Sequence, residues 1–107
     1  MAEIRLEELT RGTVRTLSGQ DRGSVAREMF KLDALDELAE PVTVCVPANL
    51  ESVTPSFVQG MFSKSVKRFQ TRERFLRHYQ FVAPPLILRQ IDDGIRHSLM
   101  RRDNLLN

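Results

Sequence analysis

Two histidines, His78 and His97, and one cysteine, Cys45, are the side chains in this sequence best suited to metal ligation or nucleophilic attack. The histidines stand far apart, and neither has a further Cys or His at a ligand spacing, so a zinc site of the usual kind lacks its ligand set. Cys45 has no second cysteine to bridge to, and it lies in Val42-Thr43-Val44-Cys45-Val46, where a thiol packs as a small hydrophobe. No Gly-x-Ser-x-Gly elbow presents a nucleophilic serine. The five glycines, Gly12, Gly19, Gly23, Gly60 and Gly94, match neither nucleotide-binding spacing. Triads assemble from distant segments, so spacing alone leaves a serine–histidine or cysteine–histidine pairing open. The expectation is a non-enzymatic chain that uses no metal and no cofactor.

One cluster does point to a ligand class. Lys64, Lys67, Arg68, Arg72, Arg74 and Arg77 share one segment and are interleaved with Phe69 and Phe75. Cations track phosphates and rings stack on bases, so Lys64–Arg77 supports the alternative reading of a small nucleic-acid-binding protein. Against it, Phe69 falls on a helical apolar stripe and Phe75 in an extended segment. Those positions make both rings core residues and leave the cations as a solvated rim. Charge is also unevenly divided: residues 1–53 carry six basic and ten acidic side chains, residues 54–107 ten and four. Such a division suits nucleic acid, an acidic partner, or two oppositely charged halves that attract one another or a second copy in a homodimer.

The elements that position these residues follow from periodicity. A length of 107 residues suits a single domain, 1–107. No apolar run reaches the roughly 18 to 20 residues of a membrane span, and the N-terminus lacks the plan of a signal peptide, so a cytoplasmic location without membrane contact is expected. Glu3–Leu9 alternates charged and apolar residues as a strand does, Thr10-Arg11-Gly12 makes a turn, and Thr13–Leu17 is β-branched, which together predict a hairpin. Ser24 is the expected cap of a helix running to Ala39, with Val25, Met29, Leu32, Leu35 and Leu38 on its core stripe. Val42–Val46 is the expected central strand.

A second helix follows, capped by Thr54 or Ser56 with Pro55 in its first turn. It carries Phe57, Val58, Met61, Phe62, Val66 and Phe69 inward. Phe75–Val82 reads as a further strand. Pro85 opens a last helix with Leu88, Ile91, Ile95 and Leu99 toward the core, and residues 103–107 are expected to fray. The result is a small mixed α/β fold of about four strands with three helices, in the order β-β-α-β-α-β-α.

Ala26-Arg27-Glu28-Met29, Val53-Thr54-Pro55-Ser56-Phe57, Phe75 and Ile91-Asp92-Asp93-Gly94-Ile95 together make the stretch from Arg22 to Arg102 resemble the STAS-like domains of bacteria, small relatives of the anti-sigma-factor antagonists. The resemblance implies a regulatory signalling domain that binds another protein, such as a histidine-kinase-type ATPase, through the loop and helix from Thr54 to Met61. Thr54, Ser56, Phe57 and Gln59 are then the partner-binding residues, and Ser56 is the nearest equivalent of the serine that a partner kinase phosphorylates in the antagonists. Two added negative charges suit a helix N-terminus, although a plain helix cap is the simpler role for Ser56. Phe57 and Met61 suit an interface by type, whereas their helical spacing places them in the core. The sequence departs from the family where Val46-Pro47 replaces an Asp-Phe pair and Gln59-Gly60 replaces an acidic pair. A role resting on those carboxylates has no carrier here.

Overall fold

The computed structural model describes residues 2–105, with side chains described through Met100. The chain runs β1 (Ala2–Arg5), α1 (Glu7–Thr10), β2 (Thr16–Leu17), α2 (Gln20–Met29), α3 (Leu32–Leu35), β3 (Val42–Cys45), β4 (Ser52–Val53), α4 (Pro55–Phe69), α5 (Arg72–His78), β5 (Tyr79–Val82) and α6 (Pro85–Leu105). This is a mixed α/β fold whose strands pair in parallel, in one sheet ordered β1-β3-β5 and a second made of β2 and β4. Val42–Cys45 is the central strand, as its β-branched run predicts. In register, Ala2, Val42 and Tyr79 form one inward row, and Ile4, Val44 and Phe81 the next. Glu3, Arg5, Gln80 and Val82 stand exposed on the opposite face. Right-handed crossovers between parallel neighbours put the connecting helices on one side, so the other face of the sheet stays open.

The first expected hairpin is absent. Leu6, Leu9 and Thr10 also satisfy helical spacing, and Glu7 and Glu8 sit in a first turn where carboxylates suit the helix dipole. The strand therefore ends at Arg5 and α1 forms, closed by Arg11 in a left-handed conformation. β1 pairs with β3, and β2 with β4, so neither pairs with the other.

The expected helix from Ser24 to Ala39 differs in start, end and face. It begins at Gln20, stops at Met29, and gives way to α3 after Lys31, which holds φ +56°. Its buried side carries Gly23, Ala26 and Arg27, while Val25 and Met29 are exposed. The reason is backbone contact with α4. A Cβ on Gly23 would lie 2.2 Å from the Phe57 carbonyl oxygen, and one on Gly60 would lie 2.1 Å from that of Gln20. Helices that close need their smallest residues at the crossing, and this turns the larger apolar side chains outward.

The segment from Phe75 is not all strand. Thr71 caps α5 by accepting from the Arg74 N–H at 3.1 Å, and Glu73 suits the first turn and Arg77 and His78 the last. Only Tyr79–Val82 remains extended. α4 and the start of α6 fall where the spacing places them, although Ile87, not Leu88, is the buried member of the first turn of α6. The helix persists through Leu105, and the rest of the segment expected to fray, residues 106 and 107, lies outside the described residues. The core gathers Ile4, Leu32, Val42, Val44, Val58, Met61, Val66, Phe75, Tyr79 and Ile95, with Phe62 edge-on to Phe75, Tyr79 and Phe81. No helix among the described residues is long and apolar enough to cross a membrane.

Candidate functional site

α4 organises two unlike regions, one at its first turn and one at its middle. At the first turn, Pro55 supplies the preset φ and Thr54 is the cap, its Oγ1 accepting from the Phe57 N–H at 3.3 Å. The Thr54 N–H donates to the Leu17 carbonyl at 2.9 Å, and the Val53 N–H donates to Gln90 Oε1 at 2.8 Å. The entry to α4 is thereby tied to β2 and α6. Ser56 is not the cap: it sits exposed in the first turn, its hydroxyl 3.1 Å from that of Thr54. Gln59 is half-buried. Phe57 and Met61 are core residues, so neither projects toward a partner.

Phe57, although buried, forms the floor of a groove. A cavity of about 370 Å³ opens between α1, the segment leading into β2, and α2, lined by Leu9, Val14, Leu17, Val25 and Phe57 with Asp21 and Arg22 at its margin. Val25 is 63% exposed and Met29, one turn on, 47%. Large apolar side chains are here left open beside a concave apolar surface, the kind of feature on which binding sites form.

The middle of α4 carries the opposite chemistry. Arg27, buried on α2, spreads its guanidinium over four groups. Nη1 donates to Ser65 Oγ at 2.8 Å and to the Met61 carbonyl at 3.0 Å, and Nη2 donates to Asp33 Oδ1 at 2.7 Å and Asp36 Oδ2 at 3.0 Å. Asp36 in turn accepts from Ser65 Oγ at 2.7 Å and from the Tyr79 hydroxyl. Burial, and then the adjacent Asp36 carboxylate, push the Tyr79 phenol far above its usual range, so it stays a donor. The Arg27 guanidinium holds the exposed Asp33 carboxyl below its ordinary value. No buried side-chain polar atom among the described residues lacks a partner. The network joins α2, α3, α4 and β5 and leaves none of its buried side-chain polar atoms without a partner.

Two of the remaining candidates, Cys45 and His78, make contacts within the fold. Cys45 donates to Glu3 Oε2 at 3.2 Å, and that bond together with burial raises the thiol, which disfavours the reactive thiolate. His78 lies outside the strand, which was expected to start at Phe75: it is half-buried at the end of α5, with Nε2 2.7 Å from the Leu35 carbonyl and its ring 4.8 Å from that of Phe69. His97 is exposed on α6. Among the described residues, no group of three or more His, Cys, Asp or Glu side chains is placed to hold a metal ion.

The basic segment is divided. Arg72 pairs with Asp92, which also holds Arg96 at 3.0 Å, and Arg68 lies 3.7 Å from Glu37. Lys64 lines a separate cavity beside Arg27 and Asp33, and Lys67 is exposed. Arg74 and Arg77 flank a shallow depression with Phe69 and His78. Phe75 is buried, and Phe69 packs against Phe75 and Tyr79, so the rings serve the core before any base.

Sequence reasoning missed the Arg27 network and the outward face of α2. The signal for the first was present: Ser65 is a polar residue falling one turn after Met61 on the apolar stripe of α4, and it needs a buried partner. No family model matches the chain, and neither does any curated protein or solved structure.

Proposed function

We propose that the chain is a non-enzymatic, STAS-like interaction domain that docks a regulatory protein across the first turn of α4 and the neighbouring apolar groove. By the family resemblance the partner is a histidine-kinase-type ATPase. The observation that carries this reading is Val25, exposed on α2 beside a groove of Leu9, Val14, Leu17 and Phe57. An apolar side chain of a partner entering that groove is desolvated against five others, the arrangement typical of the centre of an interface. Thr54 and Ser56 lie at the start of the helix that carries Phe57, and Asp21 and Arg22 provide the groove's polar margin. Phe57 acts as the groove floor, and Gln59 follows it on the same helix. A phosphoryl group on Ser56 adds charge at this rim, which suits the helix N-terminus and changes what docks there.

The test is binding of the purified chain to the kinase-type ATPase encoded nearest to it, with Val25→Asp as the variant. Binding that the wild type shows and Val25→Asp loses, while both give the same circular dichroism spectrum, supports the reading. Equal binding by both sinks the groove as the docking site. Recovery of nucleic acid alone, lost as salt rises, favours the Lys64–Arg77 alternative instead.

A further inference from the structure

The three-stranded sheet ends on two unlike edges. β1 carries Glu3 and Arg5, paired with one another at 3.4 Å and standing on the open face of the sheet. β5, Tyr79-Gln80-Phe81-Val82, has no charge and no proline, and it pairs with β3 alone. Val82 at its end and Leu86 and Leu88 beyond it are exposed at 59%, 50% and 40%. A groove of about 230 Å³ runs beside β5 between α5 and α6, with Leu76, Phe81, Leu88 and Ile91 in its walls. Natural edge strands are guarded by charge, proline, a bulge or a covering element, and β5 itself offers neither charge nor proline. An edge so built is one that pairing covers.

We propose that β5 pairs with β1 of a second copy, so that the parallel sheet continues head to tail from one copy to the next. Charge selects this partner. Strands aligned in parallel bring the end of the second copy's β1, with Glu7 and Glu8 just beyond it, to the end of β5. There α6 begins with no acid in its first turn, and Arg89 follows one turn later. Glu7, Glu8 and Arg89 are exposed, and none has an ion-pair partner among the described residues. The contact therefore sets carboxylates against a cation and the positive end of a helix. The reciprocal arrangement, β5 against β5 in antiparallel, sets Arg74 and Arg77 of each copy near the α6 start and Arg89 of the other, cation against cation. The acidic first half and basic second half of the chain thus favour the head-to-tail contact.

Sedimentation equilibrium of the full chain, over a range of concentrations at low and high salt, tests the proposal. The expected result is a mass that grows with concentration and grows less at high salt. The double variant Glu7→Lys, Glu8→Lys and the single variant Arg89→Glu each weaken association roughly tenfold or more, and a mixture of the two variants restores it. All the altered residues are exposed, and unchanged circular dichroism spectra establish that each variant folds. A monomer at every concentration overturns the proposal, and so does a closed dimer that survives both reversals. Either outcome leaves the groove reading standing, because Val25→Asp reports on a different face.

Discussion

The two regions served by α4 differ in what they keep from water. Under the middle of the helix, polar groups are buried: Arg27, Asp36, Ser65 and Tyr79 are enclosed and satisfy one another. At its first turn, apolar groups are exposed: Val25 and the groove over Phe57 face solvent. Each inverts the usual arrangement, and the inversions have different explanations. A buried ion network contributes little net stability over an apolar core, but it fixes one arrangement of the elements it joins, because any other leaves a charge unpaired. The open side of an apolar groove, where Val25 stands, contributes little to folding and is buried only when something fills it. The middle of α4 specifies the scaffold, and its first turn presents the surface.

The largest expected effect breaks the first region. Arg27→Met leaves the buried Asp36 carboxylate without its cation, and the expected loss is about 3 to 5 kcal/mol in urea unfolding. Arg27→Met combined with Asp36→Leu removes both charges, and recovery of much of that loss is expected if the network serves arrangement more than stability. A double variant as unstable as the single one refutes this account of the network. Next comes the crossing that turns Val25 outward. Gly60→Ala places a Cβ against the Gln20 carbonyl and forces α2 from α4, at about 1 to 3 kcal/mol in the same measurement.

Much of the scaffold was legible in the sequence, and the failures share a cause. The central strand, α4 with its Thr54 cap and Pro55, and the origin of α6 at Pro85 follow from local chemistry, since a cap and a proline act within one turn. The hairpin failed because Glu3–Leu9 satisfies both the strand and the helix period, and only pairing with β3 decides where the strand stops. The face of α2 failed because the larger apolar residues were assumed to point inward. Two glycines distant in sequence set that face, and a single helix pattern contains no trace of its partner. Of the expected site residues only Phe57 lines the groove, and the rest of that groove is built from residues such as Leu9, Val14 and Val25, which the pattern assigned to a strand, a hairpin and a core.

A smaller effect separates the members of the network. Tyr79→Phe removes one donor to Asp36 while Arg27 and Ser65 remain, and a cost of about 1 kcal/mol is expected. The same hydroxyl gives the network a pH signature. The folded phenol titrates above its ordinary value of 10.0, so its stabilising contribution is whole below that pH and is lost as pH rises beyond it. Unfolding midpoints should fall on passing from about pH 8 to about pH 11, and fall less in Tyr79→Phe. The Asp33 shift has the opposite sense: its carboxyl is lowered from 3.8, so the stabilisation it gives is present above that pH and lost as acid titrates the folded group.

The smallest expected effect on stability is the sharpest test of the comparison. Val25→Asp introduces a charge at an apolar position, a change that in a core unfolds a domain of this size. Here the side chain is 63% exposed, so the new carboxylate keeps its water and the folded state loses only partial contact with Leu17 and its neighbours in the groove. The unfolding free energy should stay within about 0.5 kcal/mol of the wild type. A loss of several kcal/mol would mean that Val25 is held by the fold after all, making the groove part of the scaffold and erasing the distinction between the two regions served by α4. A neutral result leaves the groove as apolar surface with no folding duty, which is the condition that a docking role requires.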